Sequence, residues 1–576
     1  MHEGTVVEIA LWIVGGLTAL LFFVAGAMKI VVPRPRLARI GLGWVTRFRT
    51  WQVKVIGVLE VLGAVGIAVG LFAQDQYAVL AWWLISTAAV GLVIIMIGAI
   101  VSHARHREAF VPPLVPGVLA ATAAVLAALL ATNWPGGVPA PSMAVPDNPI
   151  WKGDTMPDPV PEENVVLALP KDMYRHNGAP TEWWWHIGTL RAGDRVFGFE
   201  INAASFIGQG FAMTQVSLSD VDSESHYQRT QVYLPKPIGN FDVAKWAEGD
   251  PSKDWYAQLG DPSWVVGGFS VTDPGSGYTS MPQVRIEGDG TGAAAFAVPD
   301  EHGGIGQIAL LSPGTGYTET PTVTIVGGGG TGATAVAVRN SVVMTAPQAD
   351  PSQDIHVQVT LVDEKTLTPV DFDLTFSQQG RPFFVFGTGL EPSAEVQSLA
   401  TDNYYFSFTR LAASGTVTID GKAYEVSGTT WMDHEYGYFG DGSTDGRVRW
   451  LLQDMQLDNG YTISNAGVIG PGFKPEIGVS VDAFATLQDA DGNIYYVAST
   501  VTPVGELWTS PETGVSYAQE FRVQIPSFDA DIVVSTRIQD QEFVLPAASI
   551  YEGTANPVGT MLGKKVGGDA WIEQAF

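Results

Sequence analysis

Long apolar runs fill much of the chain up to Trp134, and short stretches of alternating apolar and polar residues fill most of the remainder. The four runs extend over approximately residues 6–32, 53–73, 77–101 and 114–132. Each approaches the ~20 residues that an α-helix needs to cross a bilayer. A cleaved signal peptide is the competing interpretation of the first run, but Glu3 and Glu8 stand where a signal peptide has basic residues, and three more runs follow. The pattern therefore predicts four retained transmembrane helices.

Arginines in the connections predict how these helices are oriented. The first connection holds five arginines and the third holds Arg105 and Arg107, whereas the second holds one charged residue, Asp75. Because cytoplasmic loops are enriched in Lys and Arg, the first and third connections are predicted in the cytoplasm and both termini outside the plasma membrane. Glu60 is the one acid deep in a run, and it is either functional or simply neutral or paired with a nearby lysine, Lys29 or Lys54.

The remainder of the chain has the pattern of an extracytoplasmic β-structure. Residues 135–165 are rich in Pro, Gly and acidic residues, which predicts a short, stiff tether. Beyond them, stretches such as R-V-F-G-F-E-I-N and H-V-Q-V-T-L-V alternate in polarity and are separated by D-G, N-G and S-G turns. Many short strands at close spacing predict barrels or sandwiches.

Residues 267–340 contain two copies of one unit. The first copy reads P-G-S-G-Y-T-S-M-P-Q-V-R-I from Pro274, and the second reads P-G-T-G-Y-T-E-T-P-T-V-T-I from Pro313. An internally complete repeat predicts a small inserted β module that the rest of the body does not need. The glycines at 327–330 are better explained by tight turns than by phosphate binding, because no Walker-type lysine follows them.

Two stretches combine carboxylates, histidines and tryptophans, and chemistry is expected there. Residues 428–440 read G-T-T-W-M-D-H-E-Y-G-Y-F-G, and residues 180–190 read P-T-E-W-W-W-H-I-G-T-L. In a β-strand, the side-chain period of two places Trp431, Asp433 and Glu435 on one face of the first stretch. The same period separates Glu182, Trp184 and His186 from Trp183 and Trp185 in the second. Charged groups beside bulky aromatic residues are unusual in a plain core strand.

Composition excludes several function classes. The formal net charge is −28, divided into +4 up to Trp134 and −32 beyond it, so nucleic-acid partners are not expected. The chain has no cysteine, which excludes disulfides and thiolate sites. The nine histidines form no H-E-x-x-H pair, and there is no G-x-S-x-G elbow, so neither a metal nor a nucleophilic serine is predicted. No cofactor is predicted, and protein partners are not indicated.

Several blocks resemble known families. The N-terminal segments F-F-V-A-G-A-M-K-I and G-V-L-E-V-L-G-A-V-G-I resemble the DoxX-like four-helix membrane family. P-T-E-W-W-W-H-I-G-T-L, W-M-D-H-E-Y-G, I-Y-E-G-T-A and D-A-W-I-E-Q resemble the carotenoid 1,2-hydratase family. The second resemblance implies two lipocalin-like β-barrels in tandem. It also implies a family of isoprenoid hydratases with cyclising or inactive relatives. The chain departs from that family before its L-D-N-G turn, where Trp450 stands without a paired tryptophan.

The predicted architecture is a four-helix transmembrane bundle followed by an all-β body of two lipocalin-like barrels. The domains are expected at 1–134 (membrane), 135–165 (linker), 166–266 with 341–410 (first barrel), 267–340 (inserted module) and 411–576 (second barrel). The substrate is predicted to be a lipophilic isoprenoid taken from the membrane.

Hydration of an unactivated alkene requires a proton donor, a means of stabilising a tertiary cation, and water. A carboxylic acid kept protonated by burial and by a like-charged neighbour can donate the proton, which makes Asp433 with Glu435 the candidate pair. His186 or the ionised partner acid would take a proton from water, and Glu182 is a further catalytic candidate. Indole faces can stabilise the cation. The predicted substrate-binding residues are Trp183, Trp184, Trp185, Tyr405, Trp431, His434, Tyr436 and Trp450. A non-catalytic carrier of a hydrophobic ligand and a cycloaddition catalyst remain alternatives.

Overall fold

The computed structural model describes residues 3–39, 45–46, 48–73, 88, 150–206, 208, 210–234, 238–239, 244–246, 254–346, 350–391, 399–439, 449–544 and 549–575. The chain forms two units, Met1–Ala140 and Pro141–Phe576. Each is described by itself below.

The N-terminal unit is helical where it is described. Helix α1 covers Glu3–Val31, α2 covers Arg34–Arg39 and α3 covers Thr50–Ala73. Within the described residues, one stretch, Thr50–Val69, is long and apolar enough to cross a membrane, and a shorter apolar stretch covers Thr18–Val31. These helices coincide with the first two predicted spans. The predicted spans at 77–101 and 114–132 lie outside the described residues, apart from residue 88.

Helices α1 and α3 pack closely at a pair of glycines. A Cβ atom on Gly26 would lie 2.5 Å from the carbonyl oxygen of Gly57, so only glycine permits this approach. One turn further along, Lys29 Nζ donates to both carboxylate oxygens of Glu60, at 2.8 and 2.6 Å. Of the two lysines considered as partners for Glu60, Lys29 is the one that pairs with it. The ion pair accounts for an acid that is almost completely buried between the helices.

The body contains a large sheet formed within residues 181–437. Its strands and the neighbouring pair are β1 Thr181–Ala192, β2 Arg195–Phe206, β3 Phe211–Asp220, β4 Ser225–Tyr233, β5 Ala244–Trp246, β6 Trp255–Gly260, β7 Gly268–Asp273, β8 Gln283–Glu287, β9 Thr291–Pro299, β10 Ile305–Thr315, β11 Thr322–Val326, β12 Thr334–Val338, β13 Ser341–Ala346, β14 Asp354–Val362, β15 Pro369–Gln378, β16 Phe383–Phe384, β17 Asn403–Ile419 and β18 Lys422–Gly437. Among the described residues, sixteen of these strands form one sheet, here called the first sheet, and β7 pairs with β12 separately.

The order in the first sheet is β11-β8-β9-β10-β4-β3-β2-β1-β18-β17-β15-β14-β13-β6-β5, with β16 beside β17. No pairing between described residues closes it into a barrel. Its inner face surrounds an apolar core that includes Phe199, Phe372, Phe376 and Met432.

Residues 450–575 form a closed barrel. Its strands are β19 Trp450–Leu457, β20 Thr462–Gly467, β21 Val481–Gln488, β22 Ile494–Thr509, β23 Ser516–Ile525, β24 Ala530–Thr536, β25 Glu542–Val544, β26 Ser549–Met561, β27 Lys564–Val566 and β28 Gly568–Ala575. Eight of them, in the order β24-β23-β22-β21-β20-β19-β28-β26, close because β24 also pairs with β26. Apolar side chains such as Met455, Leu487, Val523 and Ile572 fill the interior, as the alternating pattern predicts.

The repeat of residues 267–340 supplies strands β7 to β12, and most of them extend the first sheet. Strand β10 joins β4 in a parallel pairing at Leu310 and Tyr233. The buried Arg229 of β4 donates to the carbonyl oxygen of Phe269 and to the hydroxyl of Ser270 in β7. The module is thus anchored to the body, and its dispensability stays a prediction. Any replacement of it should also change Arg229, whose guanidinium would otherwise lose these partners.

The division between the two β-structures differs from the predicted boundary at residue 410. Strands β17 and β18, which carry residues 403–437, pair with each other and with β15 and β1 of the first sheet. The barrel begins at Trp450. The prediction failed because the similar length and alternation of β17 and β18 give no indication of which sheet they join; that depends on pairing with β1, which lies far earlier in the chain.

The first sheet and the barrel pack face to face through a layer of side chains, here called the inter-sheet layer. Trp183, Trp185 and Trp431 of the first sheet meet Tyr496 and Trp571 of the barrel in one apolar cluster. Polar contacts surround this cluster. Gln456 Nε2 of the barrel donates to the carbonyl oxygens of Thr409 and Thr430, at 2.6 and 2.9 Å, and Arg191 forms two hydrogen bonds with Asp569.

Gly198 of β2 is a point of close approach between the two β-structures, and it yields a stability prediction. A Cβ atom there would lie 2.4 Å from Cβ of Thr554 in β26. We expect Gly198→Val to lower the free energy of unfolding by about 1–3 kcal/mol, because overpacking forces the sheets apart. Denaturant unfolding of the full-length protein in detergent, followed by tryptophan fluorescence, measures the change. Gly470→Val is the control, since no atom lies within 4 Å of that position. Equal effects of the two variants would contradict the assigned packing.

Candidate active site

Strand β18 lies between β1 and β17, and its two faces point to different environments. Asp433 is opposite Trp185 of β1 and Ser407 of β17, and Glu435 is opposite Trp183 and Tyr405. Because neighbouring strands share a pleat, these side chains and Trp431 lie on one face, as the period of two predicts. That face points into the inter-sheet layer and not into the interior of the first sheet.

Asp433 is completely buried and keeps a hydrogen-bonding atom free. Its Oδ1 accepts from the Ser407 hydroxyl and from Trp431 Nε1, the latter at 2.7 Å, whereas Oδ2 has no partner among the described residues. Burial raises the pKa of Asp433 to about 7, although its hydrogen bonds oppose the rise. At neutral pH this carboxyl group therefore exists in both protonation states, which is the property that a general acid needs.

Further acids reach the inter-sheet layer from β18 and from the barrel. Glu435 accepts from Asn403 Nδ2. Glu573 of β28 accepts from Trp450 Nε1 at 2.7 Å, and Glu552 of β26 accepts from Trp571 Nε1 at 2.9 Å. Asp454 of β19 is also buried, and neither of its oxygens has a hydrogen-bond partner among the described residues. The acid cluster is defined as Asp433, Glu435, Asp454, Glu552 and Glu573.

Burial favours the protonated form of the acid cluster. Burial raises the pKa values of Glu435, Asp454, Glu552 and Glu573 well above the ordinary range, and the charges of neighbouring acids raise them further. Tyr405 contacts the same region, and burial together with the nearby carboxylates raises the pKa of its phenol, which stays protonated. The site can therefore supply protons in a setting that contains little water.

Glu182, Trp184 and His186 lie on the opposite face of β1, in the interior of the first sheet, together with His434 and Tyr436 of β18. The prediction combined members of this set with Asp433. The structure separates them, because an alternating strand cannot direct neighbouring side chains into one cavity. His186 stacks on Phe376 with a ring-centroid distance of 4.7 Å, and burial lowers its pKa to about 3. It is therefore a neutral imidazole behind the sheet, and it does not face Asp433.

A hydrogen-bonded network occupies this inner face. Glu182 accepts from His176 Nδ1 at 2.8 Å and from the His176 peptide nitrogen, and His434 Nε2 lies 3.4 Å away. His434 Nδ1 donates to the carbonyl oxygen of Trp183, and Trp184 Nε1 donates to that of Met173. Although burial opposes it, the two histidines lower the pKa of Glu182 to about 2. Burial lowers the pKa of His176, but the carboxylates of Asp172 and Glu182 outweigh burial and raise this pKa to about 8.

One group of described residues has the spacing of a metal site. His176, Glu182 and His434 each offer one atom, and these three atoms lie within 4.8 Å of one another. The His176 and Glu182 atoms already form a direct hydrogen bond at 2.8 Å. An ionised carboxylate between two imidazoles thus accounts for the arrangement without an ion, and the network is best explained as a structural support for β1 and β18.

Sequence reasoning missed the acids that the barrel contributes. Glu552 lies in I-Y-E-G-T-A and Glu573 in D-A-W-I-E-Q, two stretches noted for a family resemblance but not for their chemistry. The available signal for these acids was a carboxylate at an alternate position of a strand whose other residues are buried. Asp454 follows the same rule in W-L-L-Q-D-M. What the sequence could not indicate was that their outward faces meet Asp433.

The two parts of the chain are similar to different families. Residues 325–573 match the AttH-like family. Residues 13–126 match the DoxX-like family, as the N-terminal segments predicted. No curated protein shows significant sequence similarity to the chain. The AttH-like segment contains Asp433 and the whole acid cluster, whereas β1 and β2 precede it.

Several solved structures match part of the chain at low sequence identity. An AttH protein from Nitrosomonas europaea is 17% identical, with a TM-score of 0.45, and the match covers 72% of this chain and 98% of that one. Kievitone hydratase from Nectria haematococca is 14% identical, with a TM-score of 0.44, covering 74% and 98%. CghA is 12% identical, with a TM-score of 0.37, covering 74% and 96%. Similarity at this level does not support an inference about activity, so the function is argued from the site.

Proposed function

We propose that the protein is a hydratase-type enzyme that adds water to, or removes it from, a double bond of a lipophilic isoprenoid. The observation that carries the proposal is Asp433. It is fully buried between the two β-structures, one of its oxygen atoms has no hydrogen-bond partner among the described residues, and burial raises its pKa to about 7. A carboxyl group of this kind can donate a proton at neutral pH. Indoles beside it, those of Trp431 and Trp571, provide surfaces that tolerate a cation.

In the forward reaction, the proton of Asp433 passes to one alkene carbon. The π electrons form the new C–H bond, which leaves a tertiary cation on the other carbon and a carboxylate on Asp433. Water then donates an oxygen lone pair to the cation, and the proton that it loses returns to Asp433. One water molecule is added, no redox change occurs, and the acid is regenerated. This cycle requires neither His186 nor Glu182, which lie on the opposite face of the sheet.

The other members of the acid cluster have a different part in the proposal. Burial and the charges of neighbouring acids raise the pKa values of Glu435 and Asp454 well above the ordinary range, which favours their protonated form. Protonated neighbours do not quench the cation by forming an ester as readily as a carboxylate would, and they supply O–H donors that can orient the attacking water. Asp433 is thereby distinguished as the group that changes its charge.

Two alternatives remain. A carrier of a hydrophobic ligand would use the same apolar layer, but burying five acids together, one of which, Asp454, has no hydrogen-bond partner among the described residues, is costly and gives a carrier no advantage. A cycloaddition catalyst would use the same apolar layer but would need no proton donor. We also propose that the N-terminal unit anchors the enzyme in the plasma membrane with the body outside the cytoplasm, which would give the site access to a membrane-dissolved substrate. The arginines of the first connection support this orientation.

The decisive experiment supplies isoprenoid alkenes to the full-length protein in detergent and ¹⁸O-labelled water. A hydratase is expected to produce a tertiary alcohol that carries the heavy oxygen, detected by mass spectrometry. Retention of the alkene without any product would favour the carrier, and an unlabelled cyclic isomer would favour the cycloaddition catalyst. Heat-inactivated protein is the control for spontaneous hydration.

A further inference from the structure

Beside Asp433, the outward face of the first sheet carries polar groups that the proposed reaction does not use. Asp433, Trp185 and Asn202 occupy one row across β18, β1 and β2. Glu200 and Ser217 occupy the next row, on β2 and β3. The polar patch is defined as Trp185, Glu200, Asn202 and Ser217. All four side chains point into the inter-sheet layer, because they share the pleat of Asp433.

These groups lack hydrogen-bond partners among the described residues. The unpartnered buried atoms are Trp185 Nε1, Asn202 Oδ1, Ser217 Oγ and both carboxyl oxygens of Glu200. The side chains of Trp185 and Gln215 lie close enough to Glu200 to oppose the rise in its pKa, yet neither reaches hydrogen-bond geometry with its carboxyl oxygens. Buried polar groups without partners are costly and rare, so this concentration on one surface indicates a polar ligand.

The donors and acceptors of the polar patch define the chemistry of that ligand. Trp185 Nε1 can only donate, Asn202 Oδ1 can only accept, and the Ser217 hydroxyl can do either. Burial raises the pKa of Glu200 to about 8, so at neutral pH this residue is mainly a neutral acid that both donates and accepts. The charge of Glu200 interacts with Glu552 across the layer, which disfavours an anion. An ammonium group would leave the Trp185 donor without an acceptor. A hydroxyl group satisfies both types of partner.

We propose that the polar patch binds a hydroxyl group of the substrate, so that the substrate is an oxygenated lipophile and not a pure hydrocarbon. Asn202 lies two strands from Asp433, which places the hydroxyl about 10 Å from the alkene carbon that receives the proton. The inference rests on the proposed function for the identity of the reacting alkene, but the binding of the hydroxyl stands on the polar patch itself.

The test compares isoprenoid alcohols with the matching hydrocarbons. The full-length protein in ¹⁸O-labelled water is offered three alcohols, namely geraniol, farnesol and geranylgeraniol. It is also offered the matching hydrocarbons, which lack the hydroxyl group, and farnesylamine. For one of the three chain lengths, kcat/KM for the alcohol is expected to exceed kcat/KM for the matching hydrocarbon by at least about 100-fold. A site built to bind a hydroxyl group strongly rejects the analogue without it. Asn202→Leu and, as the smaller change, Ser217→Ala should each reduce that ratio by about tenfold or more. Asn556→Leu, a half-buried strand asparagine of the barrel, should not change it.

Binding is measured alongside turnover, by quenching of tryptophan fluorescence. Equal turnover of hydrocarbon and alcohol would overturn the hydroxyl subsite and leave the hydratase proposal intact. Absence of any product, together with tighter binding of the alcohol that Asn202→Leu abolishes, would overturn the hydratase and retain the subsite. A preference for farnesylamine over farnesol would overturn the inference. So would equal binding of all the ligands, which would show that the polar patch binds only water.

Discussion

Asp433→Asn is expected to reduce the rate of hydration by at least about 100-fold while leaving ligand binding unchanged. The substitution retains the shape of the side chain and an oxygen that can accept from Ser407 and Trp431, but it removes the transferable proton. General acid catalysis typically contributes ~10²–10⁴-fold, which sets the expected loss. Turnover of labelled water into the alcohol product and fluorescence-monitored binding are the two measurements.

The pH profile provides a second signature of the same group. Because the protonated form of Asp433 is the active one, kcat/KM of the wild type should be constant below a pH of about 7 and fall tenfold per pH unit above it. The residual activity of Asp433→Asn should lack this decline. Asp371→Asn, an exposed strand aspartate on β15, is the matched control and should behave as the wild type. A variant that loses binding and rate in equal measure would indicate a structural role for Asp433 and contradict the assignment.

The local geometry of the site could be predicted from the sequence because it depends only on strand alternation. Trp431, Asp433 and Glu435 share a face for the same reason that Trp183 and Trp185 do, and the period of two is independent of tertiary context. Strand pairing between β1 and β18 then brings these two sets together. By contrast, grouping His186 with Asp433 ignored which face of each strand carries these residues. Trp185 is opposite Asp433, so alternation along β1 places its neighbour His186 on the other face of the sheet.

The rest of the site depends on contacts that a single sequence does not encode locally. Asp454, Glu552 and Glu573 become neighbours of Asp433 only because the outward face of the barrel packs against the outward face of the first sheet. From its own strand alone, each of these acids resembles a solvent-exposed residue on the outer face of a barrel. Gly198 is a second example of what a single sequence does not reveal. A side chain is excluded there because Thr554 lies against it, and Thr554 is more than 350 residues later in the chain. Long-range packing of this kind determines which acids are buried, and therefore which have altered pKa values.

Glu182→Gln is expected to have the largest effect on stability. Glu182 is buried and ionised, and it accepts hydrogen bonds from the His176 side chain and peptide nitrogen. Loss of its charge leaves a protonated His176 without its main counter-charge and removes one of two acceptor oxygens. Breaking a buried ion pair in this way typically costs about 3–5 kcal/mol. Denaturant unfolding of the full-length protein in detergent, followed by tryptophan fluorescence, measures the loss. Glu425→Gln, an exposed position on the same strand as His434, is the control.

The pH dependence distinguishes the ion pair from simple packing. The folded pKa of Glu182 is lowered to about 2 from about 4.5, so its stabilisation is present above pH 4.5 and is lost as the pH falls towards 2. The folded pKa of His176 is raised to about 8 from about 6.5, so its stabilisation is present below pH 6.5 and is lost as the pH rises through 8. The difference between the wild type and Glu182→Gln should therefore be greatest between pH 4.5 and 6.5 and shrink on both sides. Because the acids of the inter-sheet layer titrate in both proteins, they cancel in this difference. A loss that is constant from pH 3 to 9 would show that Glu182 acts through packing and not through its charge.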